Sequence, residues 1–75
     1  MVVHFISTDQ KINIDIQCKN TDIFVKLELE LYEKYPELKD VNTYFFAKGE
    51  QIKRFKSIKE NNIKNQDKIL LDIYE

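Results

Sequence analysis

Two spacings of apolar residues alternate along this chain, and each change of spacing marks an element. From Val2 to Thr8 the residues are mostly β-branched or aromatic, which predicts a first strand with Val3 and Phe5 on its inward face. Thr8-Asp9-Gln10-Lys11 is a polar turn. From Lys11 to Cys18 the chain alternates, with Ile12, Ile14 and Ile16 on one side and Asn13, Asp15 and Gln17 on the other. That pattern predicts a half-buried strand, paired with the first as a hairpin. Asn20-Thr21-Asp22 supplies oxygens suited to a helix start. The helix is expected from about Asp22 to Lys34, because Pro36 disfavours helical geometry at Tyr35. Phe24, Leu27, Leu31 and Tyr35 share one face at helical spacing.

A polar connection from Glu37 to Thr43 leads to a short aromatic strand, Tyr44-Phe45-Phe46-Ala47. Lys48-Gly49-Glu50 is a turn, Gly49 being the residue suited to positive φ. Ile52 opens another brief extended piece. Lys53 to Asn65 is polar and irregular, punctuated by Ile58 and Ile63. Lys68 to Tyr74 alternates again, with Ile69, Leu71 and Ile73 inward. The expected order is β-β-α-β-(β)-β: one α+β domain over residues 1–75, its sheet covered on one face by a helix.

Length and charge narrow what such a domain does. Seventy-five residues hold one core, and a chain of that size buries only about 60% of its unfolded surface, so each inward position matters. Twelve basic and 13 acidic side chains are mixed along the sequence and leave a net charge of −1. That balance gives no electrostatic reason to expect nucleic acid as partner. No apolar run approaches a membrane span, and Met1 to Thr8 lacks the basic start of a signal peptide. Cys18 is alone, so no internal disulfide forms. The expected compartment is cytoplasm or nucleus.

The second half carries a more particular spacing. Ile52, Ile58, Ile63, Ile69, Leu71 and Ile73 are separated by 6, 5, 6, 2 and 2 residues. This resembles the ubiquitin-like (β-grasp) family, in which Leu or Ile recurs at those intervals around a loop with Asn before the central apolar residue. Here the loop reads Ile58-Lys59-Glu60-Asn61-Asn62-Ile63. Tyr44-Phe45-Phe46-Ala47 is similar to the family's third strand, and Phe24, Leu27 and Leu31 reproduce its helix core. The resemblance implies a mixed sheet of four to five strands, with the first and last side by side and one helix packed across it. It speaks for fold more than for function.

Catalytic chemistry is sparse. His4 is the sole histidine, Cys18 lacks a basic setting that would favour a thiolate, and one glycine cannot build a phosphate loop. No enzyme, cofactor or metal is expected. Lys53-Arg54-Phe55-Lys56-Ser57-Ile58-Lys59 reads either as an anion or nucleic-acid patch or as a solvated loop with Ile58 in the core, and the balanced charge of the whole favours the loop. The resemblance also implies that modifiers and sulfur carriers need a terminal Gly-Gly tail. The sequence ends Asp72-Ile73-Tyr74-Glu75, so a non-conjugated module is expected.

Recognition of a protein partner is the function that remains. Strand alternation turns His4, Ile6, Leu70 and Asp72 outward and, taken with Tyr44 and Phe46 inward, Phe45 as well. Given the strand adjacency that the resemblance implies, Ile6, Phe45 and Leu70 form an apolar patch edged by His4 and Asp72. Ubiquitin binds receptors through an aliphatic trio on this face. The matching trio here is Thr8, Phe45 and Asp72, which departs at two positions and implies a private partner. On the helix, Val25, Leu29 and Tyr32 form a further apolar stripe about 120° from the core stripe by the helical repeat, a possible second interface. The expectation is an interaction module, monomeric or a subunit of a larger complex, without membrane insertion. The alternatives are a structural subunit of a large assembly and a modifier whose glycine tail lies outside this sequence.

Overall fold

The computed structural model of the chain describes residues 1–74. Its elements are β1 (Val2–Ser7), β2 (Asn13–Gln17), α1 (Phe24–Lys34), a 3-10 helix (Pro36–Asp40), β3 (Asn42–Ala47), β4 (Glu50–Gln51) and β5 (Lys68–Tyr74). The strands form one mixed sheet in the spatial order β2-β1-β5-β3-β4, which departs from their order along the chain. β1 runs parallel to β5 and antiparallel to β2, and β3 is antiparallel to both β5 and β4. The described residues thus form a small α+β domain with one α-helix and a mixed five-strand sheet.

β1 buries Val3, Phe5 and Ser7 on one face. Ser7 is tolerated there because its polar atoms are used. Its Oγ donates to Asp9 Oδ1 at 2.6 Å and accepts the Ile12 amide at 2.9 Å, closing the turn into β2. Ile16 and Ile12 are buried beside it, while Ile14 is half-buried.

The helix begins at Phe24, two residues later than its sequence suggests, and no side chain caps it. Asp22 instead accepts the Lys19 amide at 2.9 Å. The first helical amides find backbone acceptors in the long loop: Phe24 N donates to Lys56 O and Val25 N to Arg54 O, both at 3.0 Å. A carbonyl satisfies an orphan amide as well as a side-chain oxygen does, so the cap is tertiary. α1 stops at Lys34, and Pro36 opens the 3-10 helix in place of the expected polar connection, burying Leu38.

Phe24, Leu27 and Leu31 of α1 face Val3, Phe5, Ile69 and Leu71 of the central strands, with Ile58 and Ile63 from the long loop beside them in the same core cluster. At its centre the Phe5, Phe24 and Phe45 rings pack at tilted or edge-on angles with centroids 5.2–6.0 Å apart. Each such ring contributes about 1.5–3 kcal/mol by burial, and edge-on pairs add roughly 0.5–1.5 kcal/mol.

Phe45 is therefore not outward, as the sequence suggested, but 2% exposed. The register fixes this. Phe45 stands opposite Leu71, and directly paired residues share a face. Thr43 and Ala47 join it inside, while Tyr44 and Phe46 point out. Ile73 shares the inner face but lies at its margin and is exposed. No helix of the described residues is long and apolar enough to cross a membrane.

Candidate functional site

The outer face of the sheet, away from α1, carries the residues that alternate with the core. Ile6 of β1 is paired with Leu70 of β5, and Leu70 in turn with Phe46 of β3. These three side chains run as a row across adjacent strands. Leu70 is 43% exposed, and Ile6 and Phe46 are partly covered by their neighbours. With Lys48, Gly49 and Lys68 at the rim, they line a shallow groove of about 410 Å³. Gly49 has φ +80 in the turn between β3 and β4, a conformation that glycine adopts without strain.

Of the residues expected here, Ile6 and Leu70 are brought together, and Phe46 takes the place assigned to Phe45. His4 lies on the same face but is turned to β2, where Nδ1 meets Asp15 Oδ1. Asp72 stands one outward position beyond Leu70 and opposite Tyr44. Its Oδ1 accepts the Ile73 amide at 3.0 Å and the Thr8 hydroxyl at 3.3 Å. Beyond Asp72 the Tyr44 and Tyr74 rings meet edge-on, centroids 4.5 Å apart. The carboxylate of Asp72 pushes the Tyr74 phenol above its ordinary value. The face thus has an aliphatic-aromatic groove and a tyrosine pair, with one acidic group between them.

Tyr44, Phe46 and Tyr74 escaped the sequence reading. Within Tyr44-Phe45-Phe46 no polar residue marks an outward phase, and the one short polar neighbour, Thr43, is buried. The local signal therefore pointed the wrong way.

The expected stripe on α1 is divided. Leu29 is 59% exposed and Val25 half-buried, but Tyr32 is drawn inward. Its hydroxyl donates to Glu28 Oε2 at 2.5 Å and meets Thr43 Oγ1 at 2.6 Å. Glu28, itself buried, also has Arg54 Nε 2.9 Å from its Oε1. Burial, reinforced by the bond to Glu28, pushes the Tyr32 phenol up to about 12. This network was missed, although its signal was present: Glu28 falls between Phe24 and Leu31 on the core side of the helix, where a charge requires a partner.

Among the described residues no three His, Cys, Asp or Glu side chains are grouped to hold a metal ion. Burial pushes the Cys18 thiol up, away from the nucleophilic thiolate. What the outer face offers is contact area of mixed aliphatic and aromatic character. No family model and no curated protein matches the chain.

Proposed function

We propose that this chain is a ubiquitin-like, β-grasp interaction module that recognises a protein partner through the outer face of its sheet. The fold reading is supported by the hairpin, the single helix packed across the sheet and the parallel pairing of the first and last strands at its centre. The apolar spacing through Ile52, Ile58 and Ile63 agrees with it, since all three are buried where the loop crosses the core.

One observation carries the functional reading: Ile6, Leu70 and Phe46 form a row on the side of the sheet that the core does not use. Folding gains little from large apolar side chains that stay partly in water, whereas a partner that covers them gains their full transfer free energy. An apolar centre at Leu70, flanked by aliphatic Ile6 and aromatic Phe46 and bordered by polar groups, matches the apolar core and polar rim of protein interfaces. The Tyr44–Tyr74 pair extends the same face, and Asp72 supplies a charge that fixes register against a partner cation.

The test is a paired capture from native cell extract. The Ile6→Ala, Leu70→Ala double variant is expected to keep the dispersion of its amide spectrum and to lose the protein that the unaltered chain retains. Undiminished capture by the double variant sinks this reading.

A further inference from the structure

On the helix side of the domain, a turn from Lys53 to Lys56 carries Phe55, which is 80% exposed. The frame beneath it is firmly held. Lys56 N donates to Lys53 O at 3.2 Å, and the carbonyls of Arg54 and Lys56 accept the first amides of α1. The Asn61 side chain accepts from Lys53 N at 2.8 Å and donates to the carbonyls of Lys53 and Ser57 at 2.9 and 3.0 Å. Phe55 is thus presented from a fixed base without contributing to the core, and docking onto it requires little further ordering.

Lysines border the ring on both sides in its turn. Among the described residues Lys53 and Lys56 lie within ion-pair distance of no carboxylate, and the exposed Glu60 is the acid near enough to feel the charge of Lys56. Asp22 holds the Lys19 amide and Lys26, Glu28 holds Arg54, and Glu60 holds the Ser57 amide. Two exposed aliphatic residues lie alongside. Ile23 is bridged to Ser57, and Leu29 stands one turn along α1 from Val25, whose amide is bonded to Arg54.

We propose that Phe55, bracketed in its turn by Lys53 and Lys56 and set beside the start of α1 with its exposed Ile23 and Leu29, is a second docking surface, which takes an acidic protein segment bearing apolar side chains. The lysines are complementary to carboxylates, and the strip from Phe55 to Leu29 matches alternate apolar residues of an extended or helical segment. A nucleic acid would use the lysines but leave Ile23 and Leu29 idle, and two such cations on a chain of net charge −1 are few against a phosphate backbone. An anionic bilayer would meet one aromatic and two lysines, short of the two strong signals that stable anchoring takes. This surface stands apart from the sheet face and does not depend on the reading given to it.

The experiment selects random short peptides displayed on phage against the chain, then titrates the selected peptides into isotopically labelled protein. The expected peptides are rich in Asp and Glu with Leu, Phe or Trp between them, and they shift amides in residues 53–59 and 23–29. Phe55→Ala, and separately the Lys53→Glu, Lys56→Glu pair, weaken binding about tenfold or more, while Ile6→Ala with Leu70→Ala leaves it unchanged. The amide spectrum of each variant checks its fold. No enrichment, peptides without acidic residues, shifts confined to the sheet face, or affinity indifferent to Phe55→Ala would each overturn the proposal. So would stronger retention of the chain on phosphatidylserine vesicles or on oligothymidylate through these same residues.

Discussion

Arg54 Nε lies 2.9 Å from Oε1 of Glu28, a carboxylate on the buried side of α1. The contact is a charge pair rather than an aligned hydrogen bond, since Oε1 has no donor in hydrogen-bonding geometry. The same guanidinium donates to the Thr43 carbonyl and lies 5.7 Å from the centre of the Phe45 ring. One side chain from the long loop therefore ties the helix to β3.

Removing that side chain strands a buried carboxylate. Arg54→Met should lower the folding free energy by about 2–4 kcal/mol in urea denaturation, below the largest losses for buried pairs because the guanidinium is partly solvated. Adding Glu28→Leu should recover much of the loss, since an apolar pair leaves no charge to compensate and Tyr32 keeps Thr43. A double variant no more stable than Arg54→Met would contradict the account.

The alkaline limb of stability belongs in part to Tyr32. Its phenol is raised from 10.0 to about 12, so between those values the folded chain keeps a proton that the unfolded chain has lost. The contribution is complete below pH 10 and disappears as pH climbs through the folded value. An absorbance titration should show late tyrosine ionisation whose last part Tyr32→Phe removes, the raised Tyr74 phenol accounting for the rest. On the acid side the signs reverse. Asp22 and Asp67 are lowered below 3.8, chiefly by the amides of Lys19 and Lys64. Their contribution is present above that value and lost as pH falls through the folded one.

Adjacent phenylalanines should behave oppositely. Phe45→Ala empties the centre of the aromatic cluster and is expected to cost about 3–5 kcal/mol or to unfold the domain. Phe46→Ala removes a side chain from the outer groove and should cost under about 1 kcal/mol while weakening capture of the partner. Chemical denaturation of both variants decides this. Equal losses would mean that the phase of β3 is wrong.

A capping substitution should fail to help at the start of α1. Ser at an N-cap is ordinarily worth roughly 0.5–2 kcal/mol. At Ile23 the two amides it would reach are already used: that of Val25 is given to Arg54 O and that of Lys26 to Ile23 O. Ile23→Ser should therefore move the thermal midpoint by less than about 3 °C. A clear rise would show that the loop carbonyls do not cap the helix in solution.

Strands and helix were legible wherever apolar residues recur at a single period. Ile12, Ile14 and Ile16 spell a two-residue repeat, and Phe24, Leu27 and Leu31 a helical one, because each repeat assigns a face without reference to the rest of the chain. The buried loop residues Ile58 and Ile63 were also legible as isolated apolar positions in a polar stretch. Less was visible of the site. Ile6 and Leu70 follow from alternation within their own strands, but Phe46 could not be told from Phe45 in a continuous aromatic run.

By itself, then, the sequence determined β1, β2, β5 and α1 as elements, and which face of each patterned segment is apolar, since those are properties of local spacing. The 3-10 helix and β4 at Glu50–Gln51 lie where a connection and a turn were expected. The phase of β3, the order of the strands, the start of α1 and the burial of Glu28 were decided only by tertiary structure. Each depends on a partner distant in the chain: Leu71 for Phe45, β5 for β1, the loop carbonyls for the first helical amides, and Arg54 for the carboxylate. Pairing across long separations is set by the free energy of the whole packed domain, which no local repeat encodes.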